Sequence, residues 1–193
     1  HRGPDDRGTW VDEAAGVALG FRRLAILDLS PAGHQPMLSR AERFVVTFNG
    51  EIYNYQDLRA ELEGMGARFR GTSDTEVMLA GIERWGPEAT FARLWGMFAI
   101  VLWDRQDRTL WMARDRLGKK PLYYAALPDG HFVFGSELKT LLPFPGLDRS
   151  LDATSVEDFF AYGYVPDPKT IYRAVAKLAP AHVLTLKRSE PMG

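Results

Sequence analysis

Phe48-Asn49-Gly50-Glu51-Ile52-Tyr53-Asn54 follows an apolar, β-branched run from Phe44 to Thr47 and precedes an amphipathic helical pattern. Its polar groups therefore stand at the end of a rigid element. Asn49 offers a side-chain amide, Gly50 a backbone N–H with no side chain in the way, and Glu51 a carboxylate. Two donors beside an acceptor can hold an anion and an ammonium side by side. Taken alone, the same residues read as a strand ending in an Asn-Gly turn, a common hairpin corner. The neighbouring segments decide between the two.

Downstream, Asn54 is placed to cap a helix in which Leu58, Leu62 and Met65 recur at helical spacing, with Gly64 and Gly66 near its end. Ser73-Asp74-Thr75-Glu76 fits a capping box, and Val77, Met78, Gly81, Ile82 and Trp85 form the inward face of the helix it opens. Gly86-Pro87 closes that helix. Upstream, His1 to Asp6 reads as a turn-rich opening followed by a charged loop, and Gly16 to Arg23 as a strand. Leu24 to Leu29 continues apolar as far as the loop Ser30-Pro31-Ala32-Gly33-His34-Gln35-Pro36.

From Met97 the pattern changes to closely spaced strands: Met97 to Trp103, Thr109 to Ala113, Leu122 to Leu127 and Phe132 to Phe134. The first two are apolar at odd and even positions alike, the mark of strands covered on both faces. This predicts two sheets stacked face to face with helices outside. Short helices over Ser136 to Leu142 and Thr154 to Tyr162 and a last strand over His182 to Lys187 complete the pattern; Thr154 and Glu157 are spaced as a capping box. There is no repeat, low-complexity segment or clear linker, so the sequence reads as one unit.

Composition narrows the function. The chain has 193 residues, enough to bury a core without staples; 46% are hydrophobic and 25% charged, as in folded soluble domains. A net charge of -1 gives no electrostatic basis for binding nucleic acid or an anionic membrane. The absence of cysteine excludes disulfides, thiolate metal sites and a cysteine nucleophile within these residues. His1, His34, His131 and His182 show neither i, i+4 pairing nor a carboxylate at ligand spacing, so no metal site is expected. Gly-x-Ser-x-Gly, a phosphate-binding Gly-rich loop and Gly-x-Gly-x-x-Gly are all missing.

What remains is a recognition set. Arg23 ends one strand, Asn49-Gly50-Glu51 ends another, and Asp74 sits in the first turn of a helix. Arginine can hold a carboxylate through two parallel charge-assisted hydrogen bonds, and two acidic groups suit a primary ammonium. Together they describe a pocket for an α-amino-acid zwitterion. Singly, Asp74 could serve only the helix dipole and Arg23 only a surface ion pair.

The order of the motifs settles the matter. They run His1-Arg2-Gly3-Pro4-Asp5, Arg23-Leu24-Ala25-Ile26-Leu27-Asp28, Asn49-Gly50-Glu51-Ile52-Tyr53-Asn54 and Ser73-Asp74-Thr75-Glu76-Val77. Gly96-Met97-Phe98-Ala99, Arg114 to Tyr124 and Ser136-Glu137-Leu138-Lys139 follow. Over nearly the whole chain this resembles the glutaminase domain of glutamine-hydrolysing asparagine synthetases, a class II glutamine amidotransferase of the N-terminal-nucleophile hydrolase fold. The resemblance implies an α+β fold, a four-layer αββα sandwich of two stacked, mainly antiparallel sheets. It implies that Arg23, with backbone groups near Ile26 and Leu27, holds the α-carboxylate of L-glutamine, and that Glu51 and Asp74 hold its α-ammonium. The Asn49 side chain and the Gly50 N–H would form the oxyanion hole. No cofactor is implied for this domain; ATP and magnesium would belong to a C-terminal synthetase domain that takes up the ammonia, in a cytoplasmic biosynthetic enzyme with no nucleic-acid or membrane partner.

The sequence departs from the family pattern in several places. The family's nucleophile is a cysteine at the mature N-terminus, upstream of the His-Arg-Gly-Pro-Asp motif, so these 193 residues alone are expected not to turn over glutamine. Phe21 stands where many relatives have histidine, and Ala179-Pro180-Ala181-His182 replaces the usual Pro-Pro-Gly-His, a change expected to alter only a turn. Arg114 to Tyr124 is expected to be a hairpin that holds the sheet. A non-catalytic scaffold of the same fold, as in β-lactam synthetases, is the alternative, but a scaffold has no use for Arg23, Asn49, Gly50, Glu51 and Asp74. A free-standing amino-acid-binding module would not need the oxyanion donors.

Overall fold

Alternate residues of the central strands are buried in opposite directions, which is why most of their sequence is apolar at odd and even positions alike. In the computed structural model, which describes residues 3–28 and 30–187, these strands are β4 (Phe44–Ile52) and β5 (Gly96–Asp104). They pair antiparallel from Phe44↔Asp104 to Ile52↔Gly96. His1 and Arg2 of the opening motif, Leu29, and Arg188 lie outside the described residues. The chain divides into two compact units, residues 1–113 with 184–193, and 114–183, where its even composition had suggested one.

In the first unit, β1 (Asp6–Asp12) pairs antiparallel with β2 (Val17–Arg23). The expected charged loop after Asp6 is therefore a strand: its polar and apolar residues alternate because one face is exposed. The short β3 (Met37–Leu38) lies antiparallel on β4, and the five-stranded sheet runs β10-β6-β5-β4-β3, with β6 at Thr109–Arg114 and β10 at Val183–Lys187. Helices α1 (Tyr55–Gly64), α2 (Asp74–Trp85) and α3 (Pro87–Arg93) belong to the same unit.

The even-numbered residues Phe44, Val46, Phe48, Ile52, Phe98, Ile100 and Leu102 share one core with Leu58, Leu62, Val77, Met78, Ile82, Phe91 and Leu94 of the helical layer. Fully burying each such side chain contributes about 1.5–3 kcal/mol, against about 0–1 kcal/mol for an exposed ion pair. Apolar layering therefore fixes the position of β4. The odd-numbered Val45, Thr47, Ala99, Val101 and Trp103 are buried on the other face, and β2, with its buried Leu19, lies against β4. The two-faced burial read from the sequence is thus observed.

Local signals account for the helix ends. Ser73 Oγ accepts the Glu76 N–H at 3.2 Å, as expected at the start of α2, but the Glu76 carboxylate takes the Arg70 and Gly71 N–H groups (2.8 and 2.9 Å). Asn54 precedes α1 without capping it through its side chain, which instead bridges the Arg93 carbonyl (3.0 Å) and the Trp95 N–H (2.9 Å). Gly86-Pro87 does end α2, and Pro87 then opens α3, which the sequence reading missed; proline suits a first helical position, where no N–H is needed.

In the second unit, β7 (Tyr123–Ala126) pairs antiparallel with β8 (Phe132–Gly135) and with the short β9 (Ala176–Lys177), around a core of Ala125, Leu127, Leu141, Leu147 and Val175. Helix α4 (Ala153–Tyr162) is capped by Asp152, whose Oδ1 accepts the Thr154 N–H at 2.9 Å, and not by the expected Thr154-Glu157 box. Ser136 to Leu142 contains a single 3-10 turn, Leu138–Thr140, in place of the expected helix. Arg114 to Tyr124 is no hairpin, because β6 and β7 belong to different sheets. The Asp115 carboxylate accepts the N–H groups of Leu117, Lys119 and Lys120, and the buried Arg114 guanidinium donates to the carbonyls of Gly118, Lys120 and Leu178 and to Asp167. These bonds give the segment a structural role.

Among the described residues, no helix is long and apolar enough to cross a membrane.

Candidate functional site

Strand β4 does not stop at Phe48 but runs through Asn49, Gly50 and Glu51 to Ile52. Backbone N–H groups of alternate residues point to the same edge of a strand. On the edge away from β5, β3 covers β4 only opposite Val45 and Val46. Beyond that, the Phe48 N–H is taken by Gln35 Oε1 at 2.7 Å and the Ile52 N–H by Asp74 Oδ2 at 2.9 Å. Gly50 lies between them on this edge, and its N–H has no partner among the described residues. It is a donor held in place and left unused.

Side chains alternate as well. Asn49 and Glu51 project from the face of β4 opposite the helices, since Phe48 and Ile52 face the helical core. Both are half-buried, and neither the Asn49 amide nor the Glu51 carboxylate has a hydrogen-bond or ion-pair partner among the described residues. A side chain at Gly50 would collide with β5. A Cβ on it would meet the Met97 carbonyl and lie 2.7 Å from Phe98 Cα, both backbone atoms of β5.

Asp74 is buried, 5% exposed, and pinned to β4 by the Ile52 bond, with a longer contact from Thr75 Oγ1 to its Oδ1 at 3.4 Å. Burial pushes its carboxyl above the usual aspartate range, the bonds from Ile52 and Thr75 oppose this, and the charge of Glu51 adds to it. Asp74 and Glu51 thus form an acidic pair that a cation would relieve.

Arg23, at the end of β2, donates to the Asp28 carbonyl and to the Ser30 carbonyl (3.3 Å), so its guanidinium lies inside the loop that follows. Gly33 makes room for it: a Cβ there would sit 2.7 Å from Arg23 Cζ and closer still to Nη2. Among the described residues two of its five N–H groups are engaged in this way, which leaves donors for a carboxylate. The chain bends at Ile26 and Leu27, whose side chains are exposed and whose backbone groups have no partner among the described residues. Asp5 holds this turn, accepting the Ala25 N–H at 2.8 Å and donating its own N–H to the Arg23 carbonyl at 3.1 Å.

Asn49, Gly50 and Glu51 are therefore consecutive on β4, Asp74 is bonded to the next residue, Ile52, and Arg23 with Ile26 and Leu27 forms a second cluster on the loop after β2. Sequence reasoning missed Gln35, whose buried amide joins the Phe48 N–H to Thr75 Oγ1 (3.5 Å). Its position beside a proline in a polar loop carried no sign of burial. Among the described residues, no group of three or more His, Asp or Glu could hold a metal ion.

Comparison with known proteins places the chain in a family. The family model of the glutamine amidotransferase domain matches residues 1–192. The chain belongs to that family. It is 41% identical to asparagine synthetase [glutamine-hydrolyzing] 1 of Bacillus subtilis (strain 168), over 97% of this chain and 29% of the relative. It is 44% identical to a putative asparagine synthetase [glutamine-hydrolyzing] of Mycobacterium bovis, over 92% and 28%. The chain thus spans less than a third of the length of these curated relatives. A solved glutamine phosphoribosylpyrophosphate amidotransferase from B. subtilis, complexed with ADP and GMP, superposes with a TM-score of 0.56 at 26% identity, covering 64% of this chain and 28% of that one. The antiparallel sheets and helices of this amidotransferase domain are those of an α+β sandwich of the N-terminal-nucleophile type, the class expected from the sequence.

Proposed function

We propose that the chain forms the glutamine pocket of a glutaminase whose ammonia serves an ATP-dependent synthetase domain that amidates aspartate. Arg23, with the backbone of Ile26 and Leu27, takes the α-carboxylate of L-glutamine. Glu51 and Asp74 take the α-ammonium. The side-chain amide then lies along the edge of β4, where the Gly50 N–H and the Asn49 amide receive the oxyanion of the tetrahedral intermediate. Removing one such donor typically lowers the rate about a hundred- to a thousandfold.

The observation that carries this reading is the Gly50 N–H, held between two satisfied neighbours on the same edge and itself without a partner among the described residues. A buried or half-buried donor left open in a well-bonded strand is costly unless something else takes it. The names of the relatives support glutamine as the ligand and asparagine synthesis as the use of the ammonia. Because the chain contains no cysteine, its residues supply binding and oxyanion stabilisation but no thiol nucleophile, and the 193-residue polypeptide by itself releases no ammonia.

The test is calorimetric titration of L-glutamine into the chain, alongside Arg23→Ala and Asn49→Ala. Glutamine binds the wild-type chain. Arg23→Ala weakens binding by about tenfold or more, as expected for the loss of charge-assisted hydrogen bonds, whereas Asn49→Ala changes it by less than about threefold. No binding by the wild type, or equal binding by Arg23→Ala, refutes the assignment.

A further inference from the structure

Asp28 is among the most deeply placed carboxylates of the first unit, 5% exposed, yet the roles assigned above do not use it. Its two oxygens face different segments. Oδ1 accepts the Ser30 N–H at 2.8 Å, within the loop that carries Arg23's anchors, and Oδ2 accepts the Thr72 N–H at 2.8 Å, two residues before Asp74. Its backbone carbonyl also receives the Arg23 guanidinium. Gly71 leaves space for the carboxylate: a Cβ there would stand 2.5 Å from Asp28 Oδ2. The far side of the same segment is anchored independently, by Glu76 on the Arg70 and Gly71 N–H groups and by Arg59 on the Gly71 carbonyl (2.9 Å).

Arg23 and Asp74 have no direct bond to each other among the described residues. The short covalent path from Asp28 back to the bend at Ile26 and Leu27, and from Thr72 forward to Asp74, runs through the Asp28 side chain. We infer that Asp28 is a positioning residue that sets the spacing between the α-carboxylate-binding and α-ammonium-binding halves of the amino-acid site. The inference rests on the reading of that site as a glutamine pocket. Hydrogen bonding by Ser30 and then by the Thr72 amide holds the carboxyl down at about 2, so it stays ionised and both oxygens remain acceptors throughout the neutral range. Asparagine has one acceptor oxygen where aspartate has two, so Asp28→Asn frees either the loop or the helix approach while leaving both halves of the pocket chemically intact.

A ligand that engages both halves gains from binding them at once, and the gain disappears when their separation no longer matches the ligand. The experiment compares L-glutamine with two ligands that each engage one half: glutaramate, which lacks the α-amine, and the α-amide of L-glutamine, which lacks the carboxylate. All three are titrated calorimetrically into the wild-type chain, Asp28→Asn and Gly71→Ala, with folding checked by circular dichroism. In the wild type, glutamine binds more tightly than either analogue. In Asp28→Asn, glutamine weakens by about ten- to a hundredfold, while each analogue changes by less than about threefold. Gly71→Ala, which displaces the same carboxylate, reproduces this split and carries the test if Asp28→Asn does not fold. Equal weakening of all three ligands, or of none, overturns the inference. A wild-type chain that does not prefer glutamine to its analogues refutes the pocket reading itself, before either variant is considered.

Discussion

Two glycines in the first unit are in the same steric position and should respond to alanine in opposite ways. A Cβ on Gly50 would lie 2.7 Å from Phe98 Cα, and a Cβ on Gly33 would lie 2.7 Å from Arg23 Cζ. What differs is the neighbour's freedom to move. Phe98 Cα and the Met97 carbonyl belong to β5, locked by register to β4 and buried by the helical core, so Gly50→Ala must push β4 and β5 apart. Overpacking of this kind costs about 3 kcal/mol at the upper end of its range, and alanine recovers about 0.5–1 kcal/mol over glycine in regular structure. The net loss of about 2 kcal/mol corresponds to a fall in Tm of about 4–8 °C for a chain of this size. At Gly33 the obstacle is the end of a flexible side chain, and an off-rotamer shift costs about 0.5–1.5 kcal/mol, largely offset by the same gain. Stability should change by less than about 1 kcal/mol, but Arg23 leaves its anchors and glutamine binds about ten- to a hundredfold more weakly. Gly20, with no atom within 4 Å of an added Cβ, is the control. Thermal unfolding followed by circular dichroism and calorimetric titration read the two effects separately. If Gly33→Ala lowers Tm as much as Gly50→Ala, or binds glutamine like the wild type, the reasoning is wrong.

Asp74 should stabilise the bound state at the expense of the free one. Its folded carboxyl lies above the unfolded value, so its ionised form opposes folding at neutral pH, and that penalty fades as pH falls through the folded value toward the ordinary aspartate range of about 4. Asp74→Asn keeps an oxygen for the Ile52 N–H; its Tm should equal or exceed wild type at neutral pH, the difference shrinking on acidification, while glutamine affinity falls by about tenfold or more. A lower Tm than wild type at neutral pH would contradict this. Ala181 adopts a left-handed backbone at φ 60, a conformation that suits glycine, with its N–H on the Asp115 carbonyl at 3.0 Å. Ala181→Gly should therefore stabilise the chain by about 1 kcal/mol, raising Tm by about 2–4 °C; an unchanged or lower Tm counts against strain at that turn.

The residues proposed for the site could be picked out of the sequence because each carries its chemistry in its side chain or in its lack of one. Arg23, Asn49, Gly50, Glu51 and Asp74 could be named from motif order alone. Their supports were not legible. Gln35 and Asp28 look like polar loop residues, and only the fold shows that the first is buried between β4 and α2 and the second between two backbone segments. Short pieces also escaped: β3 and β9 have two residues each, too few for any periodicity to show. At Thr154 a local cap signal was outcompeted by Asp152, placed better by two residues.

Helix and strand patterns, the burial of β5 on both faces, the acidic start of α2 and the family itself follow from the order of side chains, because periodicity and capping are local. The open Gly50 N–H does not. Whether a strand donor is free depends on what lies along its edge, and that edge is formed by Gln35 and Asp74, 15 and 24 residues away in the chain. Hydrogen-bond satisfaction is a property of neighbours in space, and here it separates a strand that merely carries an Asn-Gly pair from one whose Gly50 N–H is held open between two satisfied neighbours.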